Sequence, residues 1–349
     1  MFCFKYQDAR EIQVEGASMR AYCGSIFLAL LSLAVFFRGA ARAEEQVPTI
    51  TVGYIPLLSQ LPLVVSYDND RLNYSNVSVK IVKYRSFNSL EAALRVGAVD
   101  VADLPLPVTL NIANDGLAIK ILGQCHSGGS VLEGIGTADM SDLRGKIIGV
   151  PGLRSIENLV LIQVLSAEKL RYGLDYKTIK VPFSTVIRYF RQGKINAIYF
   201  PEPYGTMAEN DHIALQVDPR QKLLSGELTT VLTVRSDIFQ EKQRKALEEW
   251  IRSVARACTF IENDITTLSG RQTAIIQEQY FRFPQALVSA SLRNRRGGLN
   301  FSFILPDKKS IKGYQDQALK AAILDKQVDI DSLVSVDTFN GIIGGASNQ

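Results

Sequence analysis

"KIIGVPGLRSIENLVLIQVLSAEKL" (residues 146–170) runs through one complete structural unit. Its first five residues form an apolar run that reads as a buried strand, and Pro151 stops it. Gly152 permits an unusual turn, Ser155 can cap a helix, and apolar residues then recur at helical spacing to Leu170. Amides at the start of such a helix favour an anion, and Arg154 adds a guanidinium able to make two parallel hydrogen bonds. Two readings of each polar residue stay open. Ser155 either meets a ligand or only caps its own helix, and Arg154 either meets a ligand or points into solvent.

The same strand-then-helix order extends outward in both directions. Residues 49–55, 77–84, 99–104, 117–125 and 196–200 read as strands, the second with the period-two pattern of a half-solvated one. Residues 61–72, 86–98 and 184–193 read as helices, with Ser86 or Asn88 able to cap the second. This alternation predicts an α/β fold with a mainly parallel sheet. The last third differs. Residues 236–264 form a long amphipathic pattern with Ser236 as a plausible cap, and helical patterns continue to about residue 325. They are interrupted by "RNRRGG" (293–298), which is either an anionic docking patch or a solvated surface turn. At 349 residues the chain is long for one core, so two domains are expected.

Before residue 44 the sequence has another character. "CGSIFLALLSLAVFF" (23–37) is apolar but too short to span a bilayer comfortably. Arg20 precedes it and Ala41-Arg42-Ala43 follows it, the pattern of a cleavable secretory signal. Residues 1–18 are mixed in charge and unlike such a leader, so Met19 is the expected start. Cleavage after Ala43 and a periplasmic location are expected. Cys3 and Cys23 would then be removed, leaving Cys125 and Cys258, which do not make a disulfide framework. With only two histidines and no C-x-x-C spacing, no metal site or cofactor is expected. The net charge of +4 comes from scattered residues, with no basic stripe to argue for nucleic acid.

In open α/β sheets ligands bind beyond the carboxyl ends of strands. Four strand ends here are marked by proline. "GYIPLLSQLP" (53–62) offers Tyr54, Ser59 and Gln60; Tyr54 could equally be half-buried packing. "ADLPLPVTL" (102–110) has two prolines that pre-set the backbone around Leu106 and Pro107. The third is the opening stretch. The fourth, "YFPEPYGTM" (199–207), clamps Glu202 between two prolines and sets Tyr204 beside it.

Four blocks carry a family resemblance: "ITVGYIP" (50–56), "LRVGAVDVADLPLPVTLNIANDGLAIKIL" (94–122), "DLRGKIIGVPGLRSIENLVL" (142–161) and "INAIYFPEPY" (195–204). In order and spacing the chain resembles the periplasmic substrate-binding proteins of ABC importers, in the nitrate/sulfonate/taurine and thiamine-precursor-like group. The resemblance spans roughly 49–265. It implies two α/β lobes of the type II-like binding-protein fold closing on a ligand: lobe one from 44–133 and 231–349, lobe two inserted at 134–230. Crossings between lobes are expected near 131–136 and 226–234. Carried across, the binding positions are Tyr54, Ser59, Gln60, Leu106 and Pro107, then His126 and Ser127 in "HSGGS" (126–130). Gly152, Arg154, Ser155, Glu202 and Tyr204 follow on lobe two. His126 is either a ligand contact or a satisfied loop histidine, and Glu202 either touches ligand or braces the hinge.

The resemblance implies a monomeric solute receptor for a small organic anion or zwitterion, working with an inner-membrane permease and its ATPase. The alternative is an enzyme on the same fold, chorismate-dehydratase-like or pyrimidine-synthase-like. The sequence has no Ser/His/Asp order and no phosphate-cradling glycine loop. It also lacks the cysteine-rich motif of the pyrimidine-synthesising branch. A non-enzymatic protein is the expectation.

Overall fold

The computed structural model describes residues 47–137, 139–217, 229–239, 241–305 and 307–334. The predicted leader and its cleavage site lie outside these residues. Two sheets organise the described chain. The first contains β1 (Thr49–Tyr54), β2 (Ser78–Lys83), β3 (Val101–Pro105) and β4 (Ile119–Ser127). The second contains β5 (Ser130–Gly134), β6 (Ile147–Val150), β7 (Lys177–Lys180), β8 (Ala197–Pro201) and β9 (Leu215–Gln216). The chain then returns to the first sheet through β10 (Thr230–Arg235) and β11 (Asn300–Ile304). Strand order is β11-β4-β10-β3-β1-β2 in the first sheet and β7-β6-β8-β5-β9 in the second.

Both sheets are mixed rather than mainly parallel. β1 runs parallel to β2 and β3, and β6 parallel to β7 and β8, as strand-helix-strand units require. β10 is antiparallel to β3 and β4, and β5 is antiparallel to β8 and β9. These two strands are where the chain enters each sheet from the other. The change of sheet falls at Gly128-Gly129, a few residues before the expected boundary at 133/134, because β5 already pairs in the second sheet. Both glycines have positive φ (63° and 96°). A Cβ on Gly128 would lie 2.5 Å from the carbonyl oxygen of Gly297, so the turn requires a residue without one.

The helices follow from local chemistry. α1 (Leu61–Asp70) follows β1, with Pro62 in its first turn, where its missing N–H costs nothing. α2 (Phe87–Arg95) starts at Ser86, whose hydroxyl accepts from the Ser89 amide at 3.2 Å in a capping box, and it buries Leu90, Ala93 and Leu94. α3 (Leu106–Asn114) follows β3. α4 (Ile156–Ala167) is capped by Ser155, which accepts from the Asn158 amide at 3.3 Å. α5 (Val186–Arg191) and α6 (Tyr204–Asn210) complete the second half.

α7 (Glu241–Leu268) begins five residues after Ser236, which opens a short 3-10 turn instead of capping the helix. Its stripe of Leu247, Trp250, Val254, Cys258 and Ile261 is buried. The helix packs against α1 and β11. α8 (Arg271–Tyr280), α9 (Gln285–Arg293), α10 (Lys308–Lys320) and α11 (Ile330–Leu333) follow, with β11 as a strand inside the tail that reads as helical in sequence. Among the described residues no helix is long and apolar enough to cross a membrane.

Candidate functional site

A cleft of about 470 Å³ separates the two sheets' strand-end loops. One wall is the β2–α2 loop (Arg85, Ser86, Phe87, Asn88) with Pro105 and Val108 at the start of α3. The facing wall is the β6–α4 turn (Pro151 to Ser155) and the β7–α5 loop (Lys180, Pro182, Phe183, Ser184). Three exposed cations, Arg85, Arg154 and Lys180, stand at this cleft. Its one lining acid, Glu91, is held by Arg95 one helical turn on, at 2.9 Å. Phe87 and Phe183 meet across the cleft edge to face, with ring centroids 6.1 Å apart. Beneath Phe183 lies Tyr204, stacked at 5.3 Å.

Inward, the cleft adjoins a small recess lined by Ser59, Phe87, Pro105, His126, Ser130, Glu157 and Thr230, among others. His126 Nε2 lies 2.6 Å from Thr229 Oγ1, and burial pushes its pKa down to about 4, so the ring is neutral. Glu157, in the first turn of α4, accepts from Ser130 Oγ at 3.0 Å; burial pushes its pKa up.

Of the positions expected from sequence, Gly152, Arg154 and Ser155 line the cleft, and Ser59 and His126 line the recess. The others line neither. Tyr54 is buried against Phe281, ring centroids 5.8 Å apart. Gln60 ties its own loop together: Oε1 accepts from the Ile55 amide at 2.7 Å, and Nε2 donates to the Asp103 carbonyl at 3.1 Å. Leu106 and Pro107 are packed into the first turn of α3. Ser127 ends β4 opposite Asn300.

Glu202 has the most complete set of partners. Its Oε1 accepts from Arg296 Nε at 2.9 Å, and Oε2 accepts from the Thr206 amide at 3.1 Å and from Ser291 Oγ at 3.2 Å. The same guanidinium also bonds Glu133 and Glu209. Arg296, only 8% exposed, is therefore the centre of a three-carboxylate hub that joins β5, the β8–α6 turn and α6 to the segment after α9. Burial pushes the Glu133 pKa up to about 8 against the pull of Arg296, with Glu209 and Glu202 adding repulsion. "RNRRGG" is thus neither docking patch nor solvated turn: Arg296 is buried, and Arg295 pairs with Glu262 at 2.6 Å. The Leu58 amide donates to the Glu202 carbonyl at 3.1 Å, a second tie between the halves.

The sequence reading missed the β2–α2 and β7–α5 loops. The second carries the same sign as the others, a proline (Pro182) shortly after a strand, but β7 is only four residues long and alternates weakly. Glu157 was visible only as a helix residue, two places after Ser155. Among the described residues no group of three or more His, Cys, Asp or Glu side chains could hold a metal ion.

Comparison with known proteins places these features in context. The sequence profile of the NMT1-like family matches residues 43–270, well over half of the chain. The bicarbonate transport ATP-binding protein CmpC of Synechococcus elongatus is 22% identical over 275 residues. That match takes in 70% of this chain but 41% of CmpC, so the chain spans less than half the length of this curated relative. The periplasmic nitrate-binding protein NrtA from Synechocystis PCC 6803 superposes with a TM-score of 0.75 at 15% identity, over 86% of this chain and 89% of NrtA. The alkanesulfonate-binding protein SsuA from Xanthomonas axonopodis pv. citri, solved with MOPS, gives 0.68 at 18% identity, over 82% of this chain and 98% of SsuA. The two-lobed α/β architecture is that of these binding proteins.

Proposed function

Because the chain belongs to the NMT1-like family, we propose that it is the extracytoplasmic solute-capturing component of an ABC importer. It closes two lobes on a small organic anion or zwitterion and delivers it to a membrane permease driven by an ATPase. The observation that carries this reading is the cleft, walled by strand-end loops from both sheets and edged by Arg85, Arg154 and Lys180. Ligand contacts are assigned to Ser59, His126, Gly152, Arg154 and Ser155. Contacts to both walls select the closed arrangement, with the change of sheet at Gly128-Gly129 as one hinge strand. NrtA and SsuA are described as binding proteins, which favours capture over catalysis on this fold.

The test is a thermal-shift screen of the purified protein against nitrate, bicarbonate, ethanesulfonate, taurine and MOPS. A true ligand at a hundred times its Kd stabilises by about 2.7 kcal/mol, so the midpoint rises measurably. No shift with any compound counts against the reading. The periplasmic location is checked by N-terminal sequencing of the exported protein, expected to begin at Glu44.

A further inference from the structure

The cleft is polar in a literal sense: its two ends differ in charge. At the inner end Glu157 is 5% exposed and its Oε2 has no hydrogen-bond partner. His126, 1% exposed, leaves Nδ1 without a partner. Glu157 accepts from the hydroxyl of Ser130 at 3.0 Å and is also hydrogen-bonded by Ser155, but among the described residues no lysine or arginine pairs with it. A buried carboxylate without a cation is costly, and so are buried polar atoms without hydrogen bonds. The outer end carries the opposite sign in Arg85, Arg154 and Lys180, with no acid among its lining residues except the engaged Glu91. Between the two ends stand the rings of Phe87 and Phe183.

We propose that the ligand is an organic zwitterion held in one orientation. Its protonated nitrogen points inward to Glu157, its carbon body lies against the touching rings of Phe87 and Phe183, and its acid group lies outward among Arg85, Arg154 and Lys180. This deepens the solute-receptor reading and rests on it. The recess holds about 10 Å³, room for one small group such as an ammonium but not for the body of the ligand. An inorganic anion would leave Glu157 buried without its counter-charge and would leave the aromatic pair unused. A ligand with a cationic end resolves both.

The test is calorimetry on the full chain with taurine and 4-aminobutyrate, compared with ethanesulfonate and nitrate, which lack the nitrogen cation. At least one zwitterion should bind about tenfold or more tighter than ethanesulfonate, the worth of a charge-assisted hydrogen bond. Glu157→Gln should weaken that zwitterion about tenfold to a hundredfold and leave ethanesulfonate within about twofold. Glu157→Asp, which keeps the charge, should retain the preference. Equal binding of ethanesulfonate or nitrate in the wild-type protein overturns the proposal, and so does a Glu157→Gln effect common to all probes. In those cases the receptor reading survives, because something binds. If no probe binds, nitrate included, the receptor reading itself falls. The wild-type ligand comparison does not depend on either variant folding.

Discussion

The hub around Arg296 and the cleft beside it both gather charge between the two sheets, but their acids are partnered differently. Every hub acid meets a cation, and of their buried oxygens only Glu133 Oε2 is left without a hydrogen bond, whereas Glu157 meets no cation among the described residues. At the hub, one guanidinium meets Glu133, Glu202 and Glu209, and Thr206 and Ser291 take up the remaining valence of Glu202. In the cleft and its recess, Glu157 Oε2 and His126 Nδ1 have no partner, and the cations at the mouth are exposed, with Lys180 Nζ reaching Asn88 Oδ1 at 3.5 Å. A satisfied buried network rigidifies, whereas an unsatisfied one is a standing cost unless another molecule completes it. The contrast assigns the hub to structure and the cleft to binding, although sequence alone makes Glu202 the more conspicuous acid.

The comparison can be broken most forcefully at Arg296. Arg296→Leu should destabilise the fold by about 3–5 kcal/mol in urea titration, because it leaves buried carboxylates without their cation. A loss below about 1 kcal/mol would show that the acids are neutral without it and that the hub does not brace the halves.

Glu202→Gln comes next. It should cost about 1.5–3 kcal/mol of stability through the lost charge-assisted hydrogen bond, with ligand affinity measured calorimetrically left unchanged. Weaker binding at unchanged stability would move Glu202 from the brace to the ligand.

The third prediction concerns pH. Glu133, with a folded pKa raised to about 8, binds more protons in the native state than in the unfolded one between about pH 4.5 and 8. Stability therefore falls as pH rises through that window. Asp103, raised to about 7 by burial, acts in the same direction. His126, lowered to about 4, acts oppositely but only between about 4 and 6.5. The clean window is thus pH 6.5–8, where Glu133 should contribute a slope of up to about −1.4 kcal/mol per pH unit and Asp103 fades above about pH 7. Glu133→Gln should flatten it. An unaltered slope would place the titrating group elsewhere.

The smallest effect belongs to the exposed rim. Arg154→Ala should leave stability within about 0.5 kcal/mol and weaken an anion-bearing ligand by up to about 1 kcal/mol. Equal loss for an uncharged analogue would remove charge recognition from that residue.

How much of this could be read in the chain depends on how far the partners lie apart. The β6–α4 unit is local: strand, Pro151, Ser155 cap and helix all fall within 25 residues, and its turn does line the cleft. The strands of the parallel pairs were legible for the same reason, except the four-residue β7. The antiparallel strands were not, because β10 reads as a crossing and β11 sits among helical patterns. Glu202 advertised itself through its prolines, but the residue that engages it lies 94 positions on, in a stretch whose composition is that of a surface turn. Periodicity and capping report contacts within a few residues. They say nothing about which distant arginine a buried acid will find.

That distance has a consequence for the order in which the molecule can be made. Every described strand of the second sheet is encoded between residues 130 and 217, yet the guanidinium that pairs with Glu133 and Glu202 arrives only at position 296. A nascent or truncated chain ending before α9 would hold all the hydrogen-bonded strands of that half and still carry two acids it could not bury. Its second half should stay open until the last sixth of the polypeptide is delivered, so the native pairing is a late, long-range event and not a property of the inserted segment alone.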